Sequence, residues 1–339
     1  MMVQETEGTF KVADIGKIGE ADLYTKTWLP DGPLKAKLIM VHGFSDHIDR
    51  YYEFFPTLAR AGIAVYGFDQ RGWGRSVKKP AQRGLTGPTS TVLADIAAFI
   101  RAQLPSTPDV PVFVLGHSMG GGEVATLISD PTYDDLVGKV RGWLLESPFI
   151  GFTPVEEPSW LLVFSGRLAG KFLPHMHLTR PIPPEHVVRD PQVQQSIRED
   201  NLMHDTGTLE GLASMLDRTE ALSSGKTKLS PNVRSLFHMH GDSDLVCSFD
   251  KSKAWFDRQK AAGLEDATFK NYEGFYHQLH ADPGRETFYK DVVDWILARC
   301  PHAEGNGDAV KKDGEAAPVA TDAAAPAASA EHGAPESKL

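Results

Sequence analysis

The stretch that most constrains this chain is Gly116-His117-Ser118-Met119-Gly120-Gly121-Gly122. It directly follows the apolar run Val110-Pro111-Val112-Phe113-Val114-Leu115 and directly precedes Glu123-Val124-Ala125-Thr126-Leu127-Ile128. An apolar run, a Gly-x-Ser-x-Gly turn and a helical pattern, in that order, read as a buried strand, a sharp turn and a helix. In such a turn the serine adopts a strained backbone conformation that lifts its hydroxyl above a sheet, and only glycines fit two residues to either side. Residue 118 is therefore a candidate nucleophile. The rest of the chain must then supply a base, an acid to orient it and an oxyanion hole.

The surrounding pattern says what the turn is built into. Residues 8–17 and 21–29 alternate loosely between apolar and polar, as a half-exposed hairpin does. Leu38-Ile39-Met40-Val41 closes a buried strand over 34–41 and runs into His42-Gly43-Phe44-Ser45-Asp46-His47. Aromatic residues at helical spacing over 50–60 stop at Ala61-Gly62. A strand at 63–68 and a helix at 89–104, with Val92, Ile96, Phe99 and Ile100 on one face, precede the elbow. After it come a strand at 142–146, a strand at 236–241 ending in Asp242-Ser243-Asp244, a helix at 250–262, a strand at 267–272 and a helix at 285–300. Strands alternating with helices imply right-handed crossovers, hence an α/β fold with a mostly parallel sheet covered on both faces. Ligand sites in such sheets lie at the carboxyl ends of the strands, where all these polar motifs fall.

The alternation breaks over 151–229. Segments 160–172, 193–201 and 208–221 read as helices and no strand is expected, so this part is predicted to be a helical cap inserted between two sheet strands. The predicted organisation is a core of 1–150 and 230–302, the cap at 151–229, and a tail at 303–339. The tail is rich in Ala, Pro, Gly and charge and has no aromatic residue, so disorder is expected there. It ends in Ser337-Lys338-Leu339, a peroxisomal import signal, which predicts an import receptor as partner and a peroxisomal location.

The net charge of −10 argues against nucleic acid or an anionic membrane surface as the main partner. No apolar stretch reaches the roughly 18 residues that span a bilayer. Two cysteines, Cys247 and Cys300, are too few for a disulfide framework and suit a reduced, intracellular setting. Residues 1–10 lack the basic-then-apolar pattern of a secretory signal. No metal-ligand spacing is present.

After Ser118 the acid is expected in a loop past a late strand. Asp244 is favoured over Asp242 because it lies farther from the strand end and can turn toward the site. The base is expected in Tyr276-His277-Gln278-Leu279-His280, with His277 favoured over His280. The oxyanion requires two backbone N–H donors, one from Met119 at the helix start and one from the turn at Phe44. His277 would take the Ser118 proton, the alkoxide would attack an ester carbonyl, and water would release the acyl group, with no metal or organic cofactor required. A histidine near its ordinary pKa predicts activity rising from acid toward neutral pH.

Taken together, these motifs resemble the monoacylglycerol lipase branch of the serine α/β-hydrolases over roughly residues 20–300. The resemblance rests on His42-Gly43-Phe44-Ser45-Asp46-His47 with Arg50-Tyr51, on Gly116-His117-Ser118-Met119-Gly120-Gly121, on Ser243-Asp244-Leu245-Val246-Cys247, and on 272–280. It implies the α/β-hydrolase fold, a triad of Ser118, Asp244 and His277, and oxyanion donors at Phe44 and Met119. It also implies that Asp46, Arg50, Tyr51, His117 and His280 line the glycerol end of the pocket, and that Cys247 lies where thiol reagents reach in relatives. The implied activity is cleavage of monoacylglycerols or similar lipid esters. The alternatives are a lysophospholipase or acyl-CoA thioesterase on the same triad, and a non-catalytic binding scaffold. Phe44 stands where a small residue is usual and Asp46 replaces a glutamate. Ser159-Trp160-Leu161-Leu162-Val163-Phe164 suits an acyl channel, shallow membrane contact, or a plain helix core packed on the hydrolase body. Glu156-Glu157 is expected to be a solvated turn before Pro158 rather than an anchor for a peptide amine.

Overall fold

The computed structural model of the chain describes residues 3–15, 18–104 and 110–301, and of residues 160–164 the backbone alone. The tail at 303–339 with Ser337-Lys338-Leu339, and the side chains invoked for membrane contact at 160–164, lie outside the described part.

Two antiparallel strands, β1 (Val3–Val12) and β2 (Ala21–Pro30), open the chain. Next come β3 (Ala36–Val41), a 3-10 turn at Ile48–Tyr51, α1 (Phe54–Arg60), β4 (Ile63–Phe68) and α2 (Thr89–Gln103). The elbow strand is β5 (Val112–His117), followed by α3 (Met119–Leu127), the short α4 (Asp134–Val137) and β6 (Gly142–Glu146). An insertion follows, made of α5 (Trp160–Phe172), β7 (His177–Thr179), α6 (Pro184–Val187), α7 (Pro191–Glu199), β8 (Thr206–Thr208) and α8 (Leu209–Ser223). The chain returns to the sheet with β9 (Leu236–Gly241), α9 (Phe249–Ala261), β10 (Ala267–Tyr272) and α10 (Arg285–Leu297).

Eight strands form one sheet in the order β1-β2-β4-β3-β5-β6-β9-β10, antiparallel at the β1 and β2 end and parallel from β4 onward. The order reverses at β3. The chain runs outward from β3 to β4 and then recrosses to β5, so the loops after β3 and β5 diverge and leave a crevice at their carboxyl ends. That crevice lies between His42–His47 and the elbow.

Alternation along each central strand feeds two cores. Ile39, Val41, Val112, Val114 and Leu145 pack with α2, α3 and α9 on one face. Leu38, Met40, Phe113, Leu115 and Leu144 pack with α1 and α10 on the other. Both faces are apolar because both are covered, which is why these strands read as near-continuous hydrophobic runs.

Two expectations are corrected. The helix expected over 50–60 is broken: Tyr52 sits at φ 44°, ending the 3-10 turn before α1 begins at Phe54. The insertion, expected without strands, holds the antiparallel ribbon of β7 and β8, with Leu178 opposite Gly207. Three residues per strand are too few to leave a period-two signature.

Candidate active site

Ser118 has φ 54° and ψ −119°, a conformation that costs a non-glycine residue about 1–3 kcal/mol. Its surroundings impose it. The Ser118 N–H donates to Glu146 O at 3.0 Å, and Phe149 N–H donates to Ser118 O at 2.8 Å, so the turn is tied to the end of β6 on both sides. A Cβ at Gly116 would stand 2.5 Å from Gly120 O, and one at Gly120 would run into the carbonyls of Val41 and His42. The hydroxyl is thereby projected at the start of α3, where the helix dipole favours developing negative charge.

The Ser118 hydroxyl donates to His277 Nε2 at 2.8 Å, and His277 Nδ1–H donates to Asp244 Oδ2 at 2.8 Å. Asp244 is fully occupied: Oδ1 accepts Val246 N–H at 2.8 Å and Cys247 N–H at 2.9 Å, and Oδ2 also accepts His240 Nε2–H at 3.0 Å. Burial opposes its charge, but His277 and these donors outweigh it and hold the carboxyl well below its usual range. On His277 burial likewise opposes charge, and Asp244 overcomes it to hold the imidazole well above 6.5. The Cys247 thiol is pushed up by burial and stays neutral. Asp242, the rival acid, is exposed and accepts Gly274 N–H at 2.7 Å and Asn271 Nδ2–H at 3.1 Å, joining the ends of β9 and β10.

His42 shapes the turn opposite the elbow. Its Nε2 accepts Gln70 N–H at 2.8 Å, so the proton is on Nδ1, which donates to Gly43 O at 2.9 Å. Gln70 Nε2–H in turn donates to His42 O at 2.8 Å. Phe44 and Met119, the expected oxyanion donors, border the same cavity as Ser118, and the Phe44 ring packs edge-on against Trp73 at 4.8 Å.

Two cavities border Ser118. One, of about 340 Å³, has a mixed lining, with Asp46, His117, Arg198, Asp205 and Gln278 beside Phe44, Ile182, Val187, Ile197 and Met203. The other, of about 60 Å³, is lined by Phe149, Phe152, Leu212, Met215, Val246 and Cys247. It shares Phe152, Arg180, Leu212 and Met215 with a further apolar cavity of about 80 Å³ beneath Leu209 and Leu216 of α8.

Of the five residues expected at the alcohol end, Asp46 and His117 border the cavity of mixed lining; Arg50, Tyr51 and His280 do not. Tyr51 is fully buried, with its ring stacked between Phe55 at 4.9 Å and His280 at 4.3 Å, and it donates to Asp46 Oδ2 at 2.8 Å. His280 is fully buried and donates from Nδ1 to Glu146 Oε1 at 2.7 Å. Arg50 turns away to Asp200 Oδ2 at 3.1 Å and Ser196 Oγ at 3.0 Å, tying the loop after β3 to α7. His117 is pushed down to about 3 by burial and is neutral.

Glu156 corrects another expectation. It is not solvated: it is 8% exposed, borders the apolar cavity, and meets His186 Nδ1 at 2.7 Å and Arg180 at 3.8 Å. With its charge taken by Arg180, it is not free to anchor an amine.

Among the described residues, two buried groups bring three ligand-type atoms within 4.8 Å of one another: His117, Glu146 and His280, and Asp244, Cys247 and His277. In each, one pair stands at hydrogen-bond distance, 2.7 Å for His280 to Glu146 and 2.8 Å for His277 to Asp244. Two ligands of one tetrahedral zinc lie about 3.3 Å apart, so both groups are arranged for proton sharing.

Glu146, His240 and Asp200 carry contacts that the sequence reading missed. Glu146 had a visible signal, a lone acid closing the apolar strand Gly142–Glu146.

The family described as serine aminopeptidase, S33, matches residues 32–284. A putative monoglyceride lipase of Schizosaccharomyces pombe is 35% identical over 291 residues, covering 84% of this chain and 73% of that protein. A monoacylglycerol lipase of Mycolicibacterium smegmatis is 28% identical over 305 residues, covering 88% of this chain and 99% of its own. A soluble variant of the Saccharomyces cerevisiae monoglyceride lipase, solved with a substrate analog, superposes with a TM-score of 0.75 at 18% identity, covering 86% of this chain and 95% of that one.

Proposed function

The chain belongs to the serine aminopeptidase S33 family and is a monoacylglycerol lipase-like carboxylic ester hydrolase, and from that premise we propose that it cleaves monoacylglycerols through an acyl-enzyme on Ser118. The observation that carries this reading is the unbroken chain Ser118–His277–Asp244 at a serine that borders two cavities, one of mixed lining that includes Asp46 and His117 and one apolar. His277 takes the Ser118 proton as the oxygen attacks the ester carbonyl, and Asp244 stabilises the imidazolium that forms. The N–H groups of Phe44 and Met119 receive the oxyanion. The acyl chain lies along Phe149, Phe152, Leu212 and Met215, and the glycerol occupies the side of Asp46 and His117. His277 then protonates the departing glycerol oxygen, and water attacks the acyl-enzyme by the same route.

The test is Ser118→Ala, assayed on monoacylglycerol, lysophospholipid and acyl-CoA and with a fluorophosphonate probe. The expected result is loss of labelling and of ester hydrolysis by about 10⁵-fold with folding unchanged, and a wild-type preference for monoacylglycerol. Retained hydrolysis by a folded Ser118→Ala protein would overturn the mechanism. A preference for another ester would overturn the substrate.

A further inference from the structure

We propose that His240 is a positioning residue for the reaction at Ser118, acting as the second donor to Asp244 Oδ2 and so limiting the pull of that carboxylate on His277. The inference rests on the triad reading above.

His240 is fully buried near the end of β9. Its Nε2 lies 3.0 Å from Asp244 Oδ2 and 3.2 Å from Cys247 O. A peptide carbonyl only accepts, so the proton is on Nε2. A neutral imidazole that donates from Nε2 accepts at Nδ1, and Nδ1 lies 2.9 Å from Ser252 Oγ. The Ser252 hydroxyl therefore donates to His240, leaving its oxygen to accept His238 Nε2–H at 2.7 Å. Ser252 and His238 are fully buried, and burial drives His238 well below 6.5, so it remains a neutral donor. Every hydrogen bond from His238 inward thus points toward Asp244. The other His240 tautomer would turn a lone pair onto both the carboxylate and the carbonyl.

Asp244 Oδ2 is consequently shared between two imidazoles. Each donor disperses negative charge that would otherwise fall on the bond to His277. Removing the His240 donor concentrates that charge, stabilises the His277 imidazolium, and lowers the fraction of neutral base at a given pH. The titratable side chains facing His277 are Asp244 and Cys247 from the loop after β9 and His117 from the elbow. The thiol and His117 are neutral, which leaves Asp244 as the charge that His277 senses. His240 itself faces Asp244, Ser252, the Phe249 ring and His238, with Lys253 of α9 acting on His238.

The experiment is kcat/KM against pH for wild type, His240→Leu, His240→Gln and Ser252→Ala, with melting temperatures alongside. His240→Leu is expected to move the acidic limb upward by about 0.5–1 pH unit, the worth of one shared charge-assisted hydrogen bond, with KM unchanged. His240→Gln restores a side-chain N–H and returns the limb toward wild type. Ser252→Ala frees the His240 tautomer and moves the limb the same way by less. Should His240→Leu fail to fold, Ser252→Ala carries the test, because it removes a single oxygen. An unmoved limb in a folded His240→Leu or Ser252→Ala protein overturns the proposal, as does a folded His240→Gln limb that stays with His240→Leu. An inactive Ser118→Ala with an unmoved limb defeats this inference alone; an active Ser118→Ala defeats the triad reading beneath it.

Discussion

Glu123 on α3 and Arg218 on α8 meet at 3.2 Å with side chains 1% and 6% exposed, so the helix that starts at the candidate nucleophile is pinned to the insertion by a buried ion pair. Burial pushes Glu123 up to about 7 even with Arg218 beside it. Folding therefore favours the protonated carboxyl, and that contribution is lost as pH rises through the raised value. Arg218→Met raises it further, so the penalty should grow with pH: small near about pH 6, and about 3 kcal/mol near about pH 9, where Glu123 would be a buried charge without its cation. Urea unfolding at the two pH values reads this directly, and adding Glu123→Gln should remove the pH dependence. An equal penalty at both would show that the pair contributes packing alone.

The second prediction concerns the base. Burial resists charge on His277, but Asp244 at 2.8 Å outweighs it and holds the ring well above 6.5. The base works only when neutral, so kcat/KM should rise with pH through that raised value, with half-maximal activity above pH 6.5 rather than at an ordinary histidine's midpoint. The stabilisation from the charged pair runs the other way, present at low pH and lost as pH rises through the same value. Asp244→Asn should lower kcat by about 10⁴-fold by removing the partner that selects the tautomer. A limb centred below pH 6.5 would contradict the assignment of His277 as the titrating base.

What could be read from the sequence follows from where information is local. β6 and β10 fall at 142–146 and 267–272 as expected, because each is a short β-prone run bracketed by turn residues. The elbow was legible because its glycines are demanded by backbone clashes within the motif and with the adjacent strand. Side-chain direction was not. Tyr51 and His280 sit in motifs that point at the crevice, yet both turn inward, Tyr51 into an aromatic stack and His280 onto Glu146. Arg50 is claimed by Asp200, 150 positions later, a partner no local pattern announces. His240 looked like strand interior, and only the fold reveals that its Nε2 reaches Asp244.

The third prediction tests the apolar arm. Leu212 borders both apolar cavities, so an acyl chain that ran from the first toward the second would pass it. Leu212→Trp should block that path. Long acyl esters would then lose about 10–100-fold in kcat/KM, while acetyl and butyryl esters, which end before it, should change by less than about 2-fold. Equal losses across chain length would mean that the acyl group leaves Ser118 by another route.

The last prediction concerns how the insertion is held over the site. Asp200, just past α7, accepts both His47 Nε2–H at 2.8 Å and Arg50 Nη1–H at 3.1 Å on Oδ2. Burial opposes charge on His47, but Asp200 and its acidic neighbours raise its pKa. Burial also opposes charge on Asp200, and His47 and Arg50 overcome it and depress the carboxyl. The His47 contribution is complete below its unfolded value of about 6.5 and is lost as pH rises through the raised one; the Asp200 contribution is present above its unfolded value of about 4 and lost as pH falls. The contact is therefore strongest between those limits, and in alkali Arg50 holds it alone. Asp200→Asn should weaken docking of α7 by about 2 kcal/mol, leaving two buried cationic side chains without their carboxylate. Hydrogen exchange over residues 191–205 should quicken in the variant, and its protection should no longer fall as pH rises above about 6.5, as it does in wild type. Unchanged protection in the variant would mean that α7 is held by its apolar contacts at Val193 and Ile197, with the ion pair contributing nothing measurable.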